Sequence, residues 1–181
     1  RFVPAADRGP LFAAIAAAAP TIERVLVLAD PTPADLEMPA GDQGATVLQL
    51  HGQESPERCR EIRRHTARPI WKALRIRQAS DLQQAKSYGG AVDALLLDAW
   101  VADQLGGTGA RIPIEWLEDF QPALPWWLAG GIRAEAVAAI LSRLQPWGLD
   151  ASSSVEDGPG NKNLGKVRAL VEAVRQAERG S

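Results

Sequence analysis

DALLLDA, residues 93–99, is the stretch that decides the fold. Ala94 to Leu97 form an unbroken apolar run between two aspartates. It is too short for a helix and shows no in–out alternation. Such a run reads as a strand buried on both faces, as in a parallel sheet covered by helices. The strand reading spans residues 92–98, and working outward gives five more short runs, at 25–29, 46–50, 70–76, 126–129 and 149–152.

Helical patterns lie between the runs. Residues 8–19 are Ala-rich, with Leu11, Phe12 and Ile15 on one face. Ser55-Pro56 reads as an N-cap followed by proline at the first helical position of PERCREIRR. Ser80-Asp81 predicts the start of a helix through DLQQAKSYG, with Gly89 as its stop. Ala136, Val137, Ile140, Leu141 and Leu144 recur at helical spacing, as do Val167, Leu170, Val171 and Val174. The expected order is one helix, then strand and helix repeated six times, which is the βα pattern of a parallel sheet. A closed (βα)8 barrel needs eight strands. Six are legible, so an open α/β sheet and a barrel with its front absent both fit.

The chain has 181 residues, 46% hydrophobic and 23% charged, with a net charge of −2. That composition suits a globular domain, read as one domain over residues 1–181. The basic residues from Arg58 to Arg68 are interleaved with Glu57, Glu61 and Ile62, so a solvated helix face explains them and no nucleic-acid stripe is visible. No apolar run reaches the ~20 residues that span a bilayer. The opening RFVPAADRGP lacks the order of a signal peptide. The single cysteine, Cys59, rules out an internal disulfide framework and fits a reducing compartment. A cytoplasmic protein without nucleic-acid or membrane partners is expected.

Two strand ends point to an anion. PWWLAGGI, residues 125–132, and GLDASSSVEDGPG, residues 148–160, each run from apolar into small residues, with a helical pattern beyond. Small residues let a phosphate approach backbone N–H groups, and a helix start adds partial positive charge. In barrels of this kind a phosphate site is often built from the last two strand-to-helix loops. Gly130 and Gly131 carry this reading on one side, and Ser152, Ser153 and Ser154 on the other. Close packing for the glycines and N-capping for the serines is the plainer reading, and the two are compatible. Asp98 ends the most hydrophobic strand, where barrel enzymes place catalytic groups; an N-cap or a loop ion pair is the even alternative. His51 and His65 have no metal-ligand spacing. His51 follows a strand end and is read at the mouth of the barrel, whereas His65 is expected at the surface. Trp126 and Trp127 alternate across a strand, one inward and one toward the helices.

Four segments in order resemble the phosphoribosylanthranilate isomerase family of tryptophan biosynthesis. They are QLHGQESPERCREIR (49–63), DALLLDAWVADQLGGTG (93–109), PWWLAGGI, and GLDASSSVEDGPGNKN (148–163). The resemblance implies a (βα)8 TIM barrel in which the six strands are strands three to eight. It implies an Amadori rearrangement of N-(5-phosphoribosyl)anthranilate to 1-(2-carboxyphenylamino)-1-deoxyribulose 5-phosphate, with no cofactor and no metal. The expected partner is a phosphorylated small molecule, and the expected assembly is a monomer or homodimer. Asp98 matches the general acid that protonates the ribose ring oxygen. Gly130, Gly131, Ser152 and Ser153 match the phosphate loops, and Asp150 the aspartate near the sugar hydroxyls. Gly107 lies in the matching Gly-Gly-Thr-Gly loop beside the substrate. Arg1, in Arg1-Phe2-Val3, matches the arginine that pairs with the anthranilate carboxylate.

The sequence departs from the family in three places. The opening Lys-Ile-Cys-Gly motif, whose cysteine is the general base, has no match. Cys59 is no substitute, because mid-helix it is expected to be a small core residue. Ile114-Glu115-Trp116 stands where the family has Phe-Asp-Trp, and Ser154 where it usually has glycine. If the backbone at Ser154 has positive φ, serine costs about 1 kcal/mol; otherwise its hydroxyl is a possible donor to phosphate. A non-catalytic phosphate-binding remnant and a related barrel such as indole-glycerol-phosphate synthase remain open. The latter requires a lysine at an early strand end, and Lys72 lies within its strand.

Overall fold

The computed structural model describes residues 3–37, 44–99 and 111–180. Six strands form one sheet in chain order: β1 (Val25–Leu28), β2 (Val47–Leu50), β3 (Ile70–Ile76), β4 (Ala94–Ala99), β5 (Trp126–Leu128) and β6 (Gly148–Leu149). The β1–β2, β2–β3 and β5–β6 pairs are parallel, with Leu48 opposite Ile70 and Leu128 opposite Leu149. All six residues of β4 are buried, as its unbroken apolar run predicts. A two-stranded antiparallel hairpin, β7 (Glu156–Gly158) and β8 (Asn161–Lys162), follows β6 and was not anticipated.

Four α-helices are described: α1 (Ala5–Ala18), α2 (Pro56–Thr66), α3 (Ala134–Leu141) and α4 (Leu164–Arg179). Helix α2 starts as predicted, with the Ser55 side chain accepting from the Arg58 N–H at 3.2 Å and Pro56 at its first position. Basic residues Arg63, Arg64 and His65 crowd its last turn, where the helix dipole favours them. Not every connection is an α-helix. A 3-10 turn at Ala34–Leu36, with Pro33 at its N-cap, follows β1. The segment expected as a helix after β3 is 3-10 over Ala79–Tyr88. There the Asp81 carboxylate accepts from the Arg77 and Gln78 N–H groups, at 2.8 and 3.2 Å, which tightens the turn at its start. The stop shifts by one, because Gly90, at φ +69°, takes the left-handed position expected of Gly89.

The chain divides into two compact units: residues 1–73 with 87–95, and residues 74–86 with 96–181. The core of the first is built from Leu48, Leu50, Cys59, Ile62 and Ile70, all fully buried. In the second, Leu97, Leu117 and Val137 are buried, α3 packs on α4, and Trp126 meets Phe120 edge-on at 5.4 Å. Trp126 is buried and Trp127 half-buried, as alternation along a strand requires.

Candidate active site

The candidate site lies in the second unit, at the C-terminal ends of β4, β5 and β6. Asp98 is the next-to-last residue of β4 and is only 8% exposed. The Ala129 N–H donates to the Leu97 carbonyl at 2.8 Å, which sets Gly130 beside the end of β4. The Asp150 N–H donates to the Leu128 carbonyl at 2.8 Å, which sets the loop after β6 beside the loop after β5. The strand ladder thus brings Asp98, Gly130, Gly131, Asp150, Ser152 and Ser153 to one edge. Arg1 and Gly107 lie outside the described residues.

Gly130 and Gly131 have φ of +90° and +61°, so two successive residues occupy left-handed backbone that a side chain would strain. Two such residues turn the chain sharply off the buried β5 and into α3. Among the described residues, no hydrogen bond engages the backbone N–H of Gly130, Gly131, Ser152 or Ser153. A run of N–H donors around a sharp turn is a concavity suited to an anion. The serines form a short 3-10 turn, Ser153–Val155, anchored by the buried Val155. Ser152 makes no side-chain cap there, so the capping alternative does not account for its hydroxyl.

The hairpin braces this turn. The Lys162 ammonium donates to the Ser152 carbonyl at 2.9 Å and pairs with the buried Glu156 carboxylate at 2.9 Å. Asn163 caps α4 by accepting from the Lys166 N–H, and its own N–H donates to the Val155 carbonyl. Ser154 does not have positive φ: among the described non-glycine residues only Asp30 and Ala67 do. The strain considered for Ser154 is therefore absent. Its hydroxyl donates instead to the Ile132 carbonyl. Asp150 is exposed, so it is not a charge buried within the sheet.

The first unit holds a polar cluster that the sequence did not reveal. Lys72, on β3, is 2% exposed and its ammonium donates to the carbonyls of Leu50 and Gly52 at 3.3 and 2.9 Å and to the Glu54 carboxylate at 2.8 Å. Glu54 also accepts from the Asp30 N–H at 2.7 Å and the Gly52 N–H at 3.1 Å. Burial alone would raise the Glu54 carboxyl, but Lys72 and the Asp30 N–H outweigh it and hold it below its ordinary range. The glycine of QLHG is required by close approach: a Cβ on Gly52 would lie 2.5 Å from the Asp30 side chain. A lysine in the middle of an apolar strand, with a glutamate two residues past QLHG, was the available signal.

Cys59 is fully buried in α2, and burial pushes its thiol up to about 11. A thiol so disposed is a core residue and a poor base. His65 is exposed, and His51, at the end of β2, is half-buried beside the Gln49 amide at 3.3 Å.

The family model of N-(5'phosphoribosyl)anthranilate (PRA) isomerase matches residues 12–173. An N-(5'-phosphoribosyl)anthranilate isomerase of Synechocystis sp. is 49% identical over 124 residues, covering 68% of this chain and 57% of that protein. That of Synechococcus elongatus is 44% identical over 175 residues, covering 96% of this chain and 80% of the relative. The crystal structure of phosphoribosyl anthranilate isomerase from Thermus thermophilus superposes with a TM-score of 0.74 at 31% identity, covering 91% of this chain and 78% of that one.

Proposed function

The chain belongs to the N-(5'-phosphoribosyl)anthranilate isomerase family, and from that premise we propose that it serves the family's reaction in tryptophan biosynthesis. N-(5'-phosphoribosyl)anthranilate is isomerised to 1-(2-carboxyphenylamino)-1-deoxyribulose 5-phosphate. The carrying observation is the adjacency of Asp98, on a buried strand end, to a glycine turn and a serine turn rich in backbone donors.

The Asp98 carboxyl gives its proton to the ribose ring oxygen as the C1–O bond breaks and the anthranilate nitrogen forms an imine. A base then takes the C2 proton, and the resulting enol settles as the C2 ketone with the amine at C1. The family's base is the cysteine of Lys-Ile-Cys-Gly, and Cys59 does not take that role. Gly130, Gly131, Ser152 and Ser153 hold the 5-phosphate, so binding energy at the non-reacting end positions the reacting one. Asp150 faces the sugar hydroxyls, Arg1 pairs with the anthranilate carboxylate, and Gly107 belongs to the loop beside the substrate.

We read β1 to β6 as strands three to eight of a (βα)8 barrel forming one domain, which the strand order and the parallel pairs support. The protein acts in the cytoplasm as a monomer or homodimer, without nucleic-acid or membrane partners. A net charge of −2 agrees with this, and no described helix is long and apolar enough to cross a membrane.

Asp98→Asn tests the assignment. The expected outcome is a fall in kcat of ~10²–10⁴ with the melting temperature and product affinity retained. Near-wild-type turnover would remove Asp98 from the acid role.

A further inference from the structure

We infer that Ser154, the residue that departs from the family pattern, is a positioning residue that ties the two phosphate loops into one cradle. The inference rests on the phosphate reading of those loops. A phosphate held by N–H groups from two loops needs the loops at a fixed separation. Each is well anchored on its own side. Gly130 and Gly131 leave directly from the buried end of β5, and Ile132 is itself buried. The serine turn is braced by Lys162 on the Ser152 carbonyl and by Asn163 on the Val155 carbonyl. Those braces lie within residues 152–163, and the β5–β6 ladder, through the Asp150 N–H on the Leu128 carbonyl, joins the two loops only where they leave their strands. The Ser154 hydroxyl, donating to the Ile132 carbonyl, is a side-chain bond that crosses from one turn to the other beyond the strand ends.

The direction of that bond separates two roles. A serine hydroxyl has one proton. With it committed to Ile132, Ser154 has only lone pairs to offer an anion, which repels them. Ser154 therefore acts on phosphate through geometry and not as a ligand. Its φ is not positive, so the hydroxyl is gained without the left-handed cost that would favour glycine. Loops pre-set in the bound arrangement lose less freedom on binding, which raises affinity for the phosphate end alone.

The test is calorimetric titration of the intact chain with the product, 1-(2-carboxyphenylamino)-1-deoxyribulose 5-phosphate, and with the same compound lacking the 5-phosphate. Losing one net hydrogen bond's worth of preorganisation predicts that Ser154→Ala binds the phosphorylated product about five- to tenfold more weakly. Binding of the dephosphorylated compound should not change, and Ser154→Thr, which keeps the hydroxyl, should stay within about twofold of wild type. Ser154→Gly is the second variant should the alanine form fold poorly, and it is expected to lose the same affinity. Wild-type affinity in Ser154→Ala overturns the inference, as does an equal loss for both compounds, which would mark a scaffold effect. If the wild-type chain itself does not prefer the phosphorylated compound, the phosphate reading fails first, and that outcome is distinct from a failure of Ser154 alone.

Discussion

The loops after β1 and β2 close their polar groups on one another, whereas the loops after β5 and β6 leave backbone N–H groups that no described residue engages. In the first pair, a buried lysine and glutamate take up backbone donors and acceptors from Asp30, Leu50 and Gly52. Charge is fully matched there, and little remains for a ligand. In the second pair, the backbone N–H groups of Gly130, Gly131, Ser152 and Ser153 are engaged by no described residue, and Lys162 braces the serine turn through the Ser152 carbonyl and Glu156. The difference separates a junction held by buried side-chain charge from the backbone turns proposed above to hold phosphate.

The largest expected effect breaks the first region. Lys72→Met leaves the Glu54 carboxylate, 1% exposed, without its cation, and should cost about 3–5 kcal/mol of stability in urea unfolding. The double variant Glu54→Gln/Lys72→Met removes both charges while keeping a side-chain oxygen for the Asp30 and Gly52 N–H groups. It is expected to recover at least half of that loss. Equal losses in the single and double variants would show that the ion pair is not what holds the junction.

The same pair gives a pH dependence. The Glu54 carboxyl is lowered in the folded state, so the folded chain binds fewer protons than the unfolded chain in the acid range. Its contribution is therefore complete above the ordinary carboxylate range and is lost as pH falls through the lowered value. Urea midpoints taken at falling pH below about 5 should decline more steeply in the wild type than in the double variant. Identical acid limbs would mean that Glu54 does not carry the linkage.

These regions were not equally legible in the sequence. The strands were readable because burial on both faces leaves continuous apolar runs, and β3 falls where its run predicts, at Ile70–Ile76. The Ser55-Pro56 start of α2 was legible because a cap needs only local residues. Asp98 and the two turns stood out by position at strand ends. The Lys72–Glu54 pair did not, because it joins residues 18 positions apart whose partnership only the β2–β3 register creates. The 3-10 segment at Ala79–Tyr88 was read as a helix without its type because both types share a start signal, and periodicity over about three turns does not separate them. The hairpin after β6 was hidden because two strands of two or three residues leave no pattern. Ser154 was legible as a departure from the family, but its partner Ile132 lies 22 residues away and was not.

The smallest effect sharpens the comparison most, because it uses the same substitution at one left-handed glycine of each unit. Gly90 and Gly131 sit at nearly the same left-handed φ, +69° and +61°. Nothing lies within 4 Å of a Cβ built on Gly90, so alanine there meets only backbone strain. Gly90→Ala and Gly131→Ala should therefore each lose roughly 1 kcal/mol in urea unfolding. Their effects on binding should part. Gly90 ends a structural turn in the first unit, and its variant should bind the phosphorylated product as the wild type does. Gly131 lies in the glycine turn proposed to hold the phosphate, and both the shifted backbone and the added methyl would act there. Its variant should bind about tenfold more weakly, an effect larger than its loss of stability explains, since an unfolding equilibrium shifted by 1 kcal/mol still leaves the chain folded. Equal binding by the two variants would mean that left-handed glycine serves only the turn in both places, and the proposed phosphate role of the glycine turn would fail at the residue best placed to show it.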